Sequence, residues 1–460
     1  MNIAFPDLSP VLPEIIMTAA AMVLLLLDLV LKNKAPLAFL TMGAAVLVFL
    51  AIPGSAGETF GGMFVSDNYS ANFKNIFLVN LVLTALISLK YIRREKAEHG
   101  EYYSLLLFAT AGMMFMASAR DFIILYLGLE LMALSTYVLA GVKRSDRRSN
   151  EAAIKYFLLG AFSSAILLYG ISLLYGMTTS TDLYRIAEQL KQTQVSPVLL
   201  MSMILIAVAF SFKIAAAPFH MWAPDVYEGA PTSVTAFMSV GPKAAGFAVI
   251  GRVFYTAFPG LQPDWTAVLI GIALLTMAVG NILALVQTNI KRMLAYSSIA
   301  HAGYILLGVI AGPQGLNAMI TYLFIYAFMN IGAFGVVILL DKGDEISDYE
   351  GLSKSHPLVA ALMLVFMFSL TGIPPTAGFI GKFNLFMAVI NAGYTWVAVI
   401  AVIFSAISAY YYLRVVRNMY MKEMTGPAAI NPSPTLGLAL FITVLMVFAI
   451  GLLPYMVLVG

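Results

Sequence analysis

The sequence contains no cysteine, which excludes thiolate-held iron–sulfur clusters and disulfides. No Gly-x-Gly-x-x-Gly fingerprint follows a strand pattern, so a flavin or nicotinamide site of that kind is not expected either. Charge is scarce: 11% of the 460 residues are Asp, Glu, Lys or Arg, against about a quarter in soluble domains. The formal net charge of +3 is too small to suggest nucleic-acid binding. What fills the chain instead is apolar, 61% by count with a mean hydropathy of +0.90. A soluble fold of this size could not hide so much apolar surface, so lipid must be the solvent. Apolar runs of 18 or more residues recur along the chain, each long enough to cross a hydrocarbon core of ~30 Å. Barrel strands would give a weaker, period-two signal, so the spans are helices. The expected fold class is an all-α integral membrane protein.

Spans are placed at about 12–31, 36–52, 72–91, 102–118, 121–142, 152–176, 198–228, 231–256, 265–286, 293–311, 314–340, 357–389, 394–413 and 434–456, fourteen in all. Asp7 and Glu14 accompany the first of these and no basic segment precedes it, so it reads as a retained helix and not a cleaved signal. Loops are short and no linker separates domains. The basic residues test the count, because cytoplasmic loops are enriched in Lys and Arg. One side collects Lys32, Lys34, Lys90, Arg93, Arg94, Lys96, Lys143, Arg144, Arg147, Arg148, Lys291, Arg292, Lys342, Lys354, Arg414, Arg417 and Lys422, which is 17 of the 26. The other side holds Lys74, Arg120, Arg185 and Lys191. A missed span would scramble this sorting, and it predicts that both termini face the periplasm or its equivalent.

Five basic residues, Lys155, Lys213, Lys243, Arg252 and Lys382, fall inside spans, and Glu130 is the one acid placed deep in a span. Two spans are too long for a single crossing. Residues 198–228 contain Pro218 and Pro224, and residues 357–389 contain Gly372, Pro374, Pro375, Gly378 and Gly381. Proline removes an amide donor and clashes with the preceding turn, so each helix should break there. Broken backbone at membrane depth is tolerated where it is buried in protein or lines a cavity. Paired breaks also mark inverted-repeat transporters. Pro218 and Pro374 are about 156 residues apart, roughly five spans, and an odd number reverses direction across the membrane. The alternative is that the prolines only relieve packing.

An ionisable group at mid-membrane costs at least ~2.5–3.5 kcal/mol on insertion scales, so it is a functional candidate by default. Glu130 lies about nine residues into its span, some ~14 Å at a rise of ~1.5 Å per residue. Lys213, Lys243, His301 and Lys382 also fall near the middle third. His301 has Ser297, Ser298 and Tyr304 at helical spacing. Desolvation disfavours an ammonium and a nearby carboxylate restores it, while histidine titrates near neutrality. Spaced lysines with an intervening histidine can therefore hand a proton on through water, with Glu130 tuning the nearest lysine. A Glu130–Lys213 pair could instead be structural. Lys155 divides between a relay role and snorkelling, and His220 between a relay and a packed ring. Arg252 is favoured as a snorkelling residue. Asp225 and Glu228 suit caps and loop hydrogen bonds. The aromatic and Met residues read as packing or lipid-facing.

The run from Phe212 and Lys213 through Ala-Ala-Ala-Pro218-Phe-His220-Met-Trp222-Ala-Pro224-Asp225-Val-Tyr227-Glu228-Gly-Ala-Pro231-Thr232 resembles the broken-helix signature of the antiporter-like membrane subunits of respiratory complex I. Ser239-Val-Gly-Pro242-Lys243, Gly372-Ile-Pro374-Pro375-Thr-Ala-Gly378-Phe-Ile-Gly381-Lys382, Tyr296-Ser-Ser-Ile-Ala-His301-Ala-Gly-Tyr304 and Leu127-Gly-Leu-Glu130 are similar to the same family. The likeness runs over essentially the whole chain. The wording around Trp222, a lysine at 382 where one paralogue would have glutamate, and an end near the fourteenth span favour a smaller complex I member over the multisubunit sodium/proton antiporters.

The resemblance implies one bundle made of N-terminal helices (1–100), two inverted five-helix units (101–257 and 258–422) and a C-terminal helix (423–460). It implies a coupled Glu130–Lys213 pair, a central Lys243, an exit-side Lys382, and His301 on the connecting path. Pro242, directly before Lys243, departs from the family pattern and should distort that helix locally. The implied activity is proton translocation as a subunit of an NADH:quinone oxidoreductase in a bacterial cytoplasmic membrane. NADH, FMN, iron–sulfur clusters and quinone would act in other subunits, and the partners would be the other membrane-arm subunits and lipid. The alternatives are a cation/proton antiporter subunit with no redox partner and a purely structural spacer.

Overall fold

A computed structural model describes residues 6–97, 99–192, 194–340, 343–423 and 429–456; Lys342 of the charge sorting lies outside them. The helices are α1 (Leu12–Val30), α2 (Ala35–Ala51), α3 (Asn68–Arg94), α4 (Glu101–Ser118), α5 (Phe122–Ala140), α6 (Arg147–Thr178), α7 (Leu183–Leu190), α8 (Pro197–Lys213) and α9 (Trp222–Gly229). They continue with α10 (Thr232–Ala257), α11 (Gln262–Leu285), α12 (Ile290–Ile310), α13 (Pro313–Leu339), α14 (Leu352–Ser355), α15 (Pro357–Thr371), α16 (Ala377–Asn391), α17 (Thr395–Met421) and α18 (Pro434–Leu452). A small antiparallel hairpin, β1 (Gly57–Thr59) with β2 (Phe64–Ser66), joins α2 to α3. Hydropathy does not reveal it, nor the short α7 and α14.

Among the described residues, eleven helical stretches are long and apolar enough to cross a membrane. The helix α4 is diluted by Glu101, Tyr102 and Tyr103 at its start, and the α8–α9 and α15–α16 segments are interrupted. Adding these three to the eleven reproduces the fourteen expected crossings. From α4 onward the chain runs twice through one order of long elements: three continuous helices, an interrupted helix, and a further continuous helix.

The breaks fall where the prolines place them. The first leaves 214–221 outside regular helix, with Ala215 at a φ of 57°, a left-handed conformation costing an L-residue roughly 1–2 kcal/mol. The second starts at Gly372, which caps α15 with a φ of 90°; glycine takes that conformation without a Cβ penalty. Ala217–Pro218 and Pro374–Pro375 are both cis.

Compactness divides the chain into two units. The first comprises Met1–Ala85, Ala97–Ile214 and Gly241–Ala267, and the second Leu86–Lys96, Ala215–Val240 and Val268–Gly460. In the first, α4 and α5 approach through glycines: a Cβ on Gly112 would sit 2.6 Å from the Gly128 carbonyl oxygen. Such small-residue contacts let backbones close up where no hydrophobic effect drives helices together. In the second, α13 packs on α12, α15, α16 and α18. The apolar stretches of α12 and α13 are 94% buried, whereas those of α17 and α18 are 33% buried, so polar side chains on α12 and α13 need partners within protein.

Candidate proton-transfer site

In the first unit, Glu130 projects from α5 and accepts a hydrogen bond from Ser164 Oγ on α6 at 2.6 Å. Lys213 is the last residue of α8, where the break begins. It is buried, lies within electrostatic range of Glu130, and has its ammonium 5.6 Å from the Phe212 ring centroid. Ser164 thus holds the carboxylate that the expected pair would use. Lys243, on α10, is also buried, at 2% exposure. The expected distortion at Pro242 does not interrupt α10, which stays helical through the proline. One turn beyond Lys243, a Cβ on Gly246 would meet Ile214 Cγ2 at 2.7 Å and Lys213 Cβ at 3.6 Å. That glycine brings α10 against the end of α8 and sets the two lysines in one neighbourhood. Lys155 pairs with Glu151 one turn away at 2.9 Å, with side chains 40% and 57% exposed.

In the second unit, His301 on α12 is 1% exposed and bonded at both ring nitrogens. Nδ1 meets the Tyr322 hydroxyl of α13 at 2.6 Å, and Nε2 meets the Tyr412 hydroxyl of α17 at 3.1 Å. Tyr412 also bonds Ser297. A hydroxyl donates or accepts, so a proton arriving at one nitrogen can leave from the other as the two tyrosines reverse their roles. Beyond the ring, Asn281 Nδ2 donates to the Tyr304 hydroxyl at 3.2 Å, and the Tyr411 hydroxyl donates to Asn281 Oδ1 at 3.1 Å. Lys382, on α16 just past the second break, stands 4.9 Å over the Tyr304 ring. Its ammonium donates to the Thr371 carbonyl at 2.8 Å and to Ser405 Oγ at 3.0 Å. Thr371 ends α15, so the break supplies an orphan helix carbonyl as the lysine's acceptor. At the first break, the Ala217 amide donates to Thr276 Oγ1 at 2.9 Å. His220 is half-buried within that break, and its Nδ1 has no hydrogen-bond partner among the described residues.

The structure gives partners or surroundings to three sets of residues placed from the sequence. Arg252 reaches to Asp67 and grips it with two hydrogen bonds of 2.9 and 2.8 Å, and it donates to the Ala117 carbonyl. Burial pushes the Asp67 carboxyl up, but the bonds and charge of Arg252, joined by Ser70, outweigh it and hold the group below the ordinary carboxylate range. Asp225 and Glu228 clamp Arg292 at 2.9 and 2.7 Å. Lys74, sorted with the periplasmic loop residues, is wholly buried. The sequence reading also passed over Ser164, Tyr322, Tyr412 and Ser405. Tyr322, Tyr326 and Asn330 recur at a four-residue spacing on one face of α13, which is the signal that could have found the first tyrosine. No signal pointed to Tyr412.

A model of the NADH:quinone oxidoreductase/Mrp antiporter transmembrane family matches residues 119–408, which takes in Glu130, Lys213, Lys243, His301 and Lys382. The chain belongs to this family. Within it, the chain stands with the subunit N proteins. A Trichlorobacter lovleyi protein named NADH-quinone oxidoreductase subunit N is 49% identical over 98% of this chain and 96% of its own length. A chain in the structure of respiratory complex I from Thermus thermophilus with bound aureothin superposes with a TM-score of 0.83 at 34% identity, covering 97% of this chain and 98% of that one. A chain of the Mrp complex from Dietzia sp. gives a TM-score of 0.79 at 22% identity, covering 98% and 95%, a likeness of fold alone. Among the described residues, no group of three or more His, Asp or Glu side chains could hold a metal ion.

Proposed function

We propose that this chain is a proton-translocating membrane-arm subunit of a complex I-type NADH:quinone oxidoreductase. The observation that carries the reading is the pair of buried lysines at the two helix breaks, Lys213 ending α8 and Lys382 bonded to the end of α15, in a chain 49% identical to a named subunit N. Buried ionisable groups in lipid-solvated helices are costly and mark proton paths. Glu130, Lys213 and Lys243 carry the proton in one unit and His301 and Lys382 in the other, with Lys155 and His220 as accessory relay groups. Two inverted five-helix units, 101–257 and 258–422, underlie the arrangement. The absence of cysteine supports placing the iron–sulfur clusters, and with them FMN, NADH and quinone chemistry, in other subunits. The partners are the neighbouring membrane-arm subunits and lipid. The bacterial relatives and the sorting of basic residues support a cytoplasmic membrane location with both termini periplasmic. Moving one charge against 100 mV costs ~2.3 kcal/mol, which quinone reduction must supply.

The test is replacement of Lys213 or Glu130 by Ala in the assembled complex. Proton pumping and coupled quinone reduction should fall together; unchanged pumping with normal assembly sinks the reading. An antiporter subunit without redox coupling is the second reading, favoured only by the shared fold of the Mrp chain. Co-purification with hydrophilic flavin and iron–sulfur subunits decides against it.

A further inference from the structure

The proposed route leaves a buried titratable group of the first unit without a use. Tyr137, about two turns past Glu130 on α5, is 6% exposed, and its hydroxyl has no hydrogen-bond partner among the described residues. The ring itself is well held. Tyr156 of α6 meets it edge-on at 4.6 Å and Phe157 at 5.9 Å, centroid to centroid. A phenylalanine would keep both contacts. Burying a bare hydroxyl costs free energy that phenylalanine would avoid, so packing does not explain the oxygen.

The seam between α5 and α6 fixes where that oxygen stands. The two helices run antiparallel: a Cβ on Gly141 would meet Ala153 Cβ at 2.8 Å, Tyr137 faces Tyr156 and Phe157, and Glu130 accepts from Ser164. Long helical side chains lean toward the N-terminus of their own helix, so Tyr137 leans along α5 toward Glu130. Its hydroxyl arrives over Gly160, where a Cβ would lie 1.9 Å from the oxygen; only glycine leaves that room. Gly160 and Ser164 are one turn apart on α6, a spacing that puts Cβ positions ~5–6 Å from each other. Ser164 holds the Glu130 carboxylate at 2.6 Å. The Tyr137 and Glu130 oxygens are therefore about a helical turn apart, within electrostatic range of each other, and near the span of one bridging water.

On the far side of Tyr137 the seam stays polar. Tyr156 bonds Thr136, and Ser149 Oγ donates to the Ala140 carbonyl at 2.7 Å. The exposed Glu151–Lys155 pair stands in the first turns of α6. The connection from α5 to α6 carries Lys143 and Arg144, which the sorting of basic residues assigns to the cytoplasmic side.

We propose that the Tyr137 hydroxyl is the proton-delivery group of Glu130, loading it from the cytoplasmic end of the α5–α6 seam. This rests on the proton-translocating reading above and names the residue through which the first unit takes up its proton. In the step, a hydronium arriving from the cytoplasmic end forms a new O–H bond on the Tyr137 oxygen. The old phenolic O–H bond breaks as the bridging water takes that proton, and an O–H bond of this water breaks as one forms on the Glu130 carboxylate. The hydronium becomes water, Tyr137 and the bridging water are regenerated, and Glu130 ends neutral.

Tyr137→Phe tests it, read in the assembled complex beside the parent and Glu130→Ala. A packing role predicts a variant that assembles, melts no earlier than the parent and pumps as the parent does. A delivery role predicts the same assembly and melting, but NADH-driven proton uptake slower by about fivefold or more. It also predicts a larger solvent deuterium isotope effect than the parent's, because transfer to Glu130 then limits turnover. Parental pumping by Tyr137→Phe while Glu130→Ala abolishes it overturns the delivery role alone. Slower pumping with an unchanged isotope effect marks a packing fault and overturns it too, as does a Tyr137→Phe complex that fails to assemble, since the hydroxyl is then structural. Parental pumping by Glu130→Ala overturns the function reading as well.

Discussion

Replacing Tyr322 by Phe removes one hydroxyl and leaves the ring, so helix packing around α12 and α13 is kept. What is lost is the 2.6 Å bond to His301 Nδ1, in a place where the ring is 1% exposed and water cannot easily substitute. Taking away the partner of a buried polar atom costs about 1–3 kcal/mol. At 1.4 kcal/mol per factor of ten, any step that needs a correctly held His301 should slow by roughly 5- to 150-fold. Tyr412→Phe removes the Nε2 partner at 3.1 Å together with the contact to Ser297 and should act in the same range. Because both tyrosines work through one imidazole, their effects should not add; couplings of about 0.5–3 kcal/mol are usual for residues in one network. The assay is proton uptake by inverted membrane vesicles driven by NADH, read beside quinone reduction and with subunit content verified. Parental pumping by Tyr322→Phe, or strict additivity in the double variant, would refute a two-ended His301 relay.

The remaining expectations are simpler. Gly378→Ala places a Cβ 1.7 Å from the Ser369 carbonyl oxygen, so α16 must move off α15 at a cost of about 1–3 kcal/mol or more. The variant complex should melt earlier, whereas Gly437→Ala, with nothing within 4 Å, should not. Asp67 has its carboxyl held below the ordinary range by Arg252 and Ser70 against the push of burial. Its contribution is present above the unfolded value near ~3.9 and is lost as pH falls through the lower folded value. Thermal midpoints of the parent and of Asp67→Asn should therefore converge on acidification, and parallel curves would contradict the ion pair. Because the chain has no cysteine, single cysteines at Lys96 and Gln192 should react with impermeant thiol reagents from opposite sides of the membrane. Labelling from one side would overturn the assigned topology.

Much of this architecture could be read before any coordinates. A lysine in an apolar run is conspicuous, and so is a proline at the middle of an overlong span, because each breaks a strong local rule. Lys213, Lys382 and both breaks were legible for that reason. Partners were not. Glu14 and Lys74 meet at 2.8 Å, yet they are far apart in the chain and each sits near a helix end, where a charge carries little information. Tyr322 and Tyr412 were hidden by their chemistry: in a span, a tyrosine reads as an aromatic packing residue until a polar atom is found opposite its hydroxyl. The partner of Arg252 was likewise hidden, because snorkelling and pairing look the same until Asp67 is located. Pro242 was expected to disturb α10, yet a single missing donor is absorbed by a helix whose apolar stretch is wholly buried.

The clamp between Lys382 and the end of α15 has a mechanical side. The acceptor is the Thr371 carbonyl, a piece of backbone that neither titrates nor swings away. Its pull on the ammonium is set by where α15 ends relative to α16. A slip of one residue's rise, about 1.5 Å, would carry the 2.8 Å contact out of hydrogen-bond reach if directed along it. A small axial displacement between two half-helices therefore changes how tightly a buried lysine holds its proton. The break thus ties the hold on the Lys382 ammonium to the relative position of two half-helices.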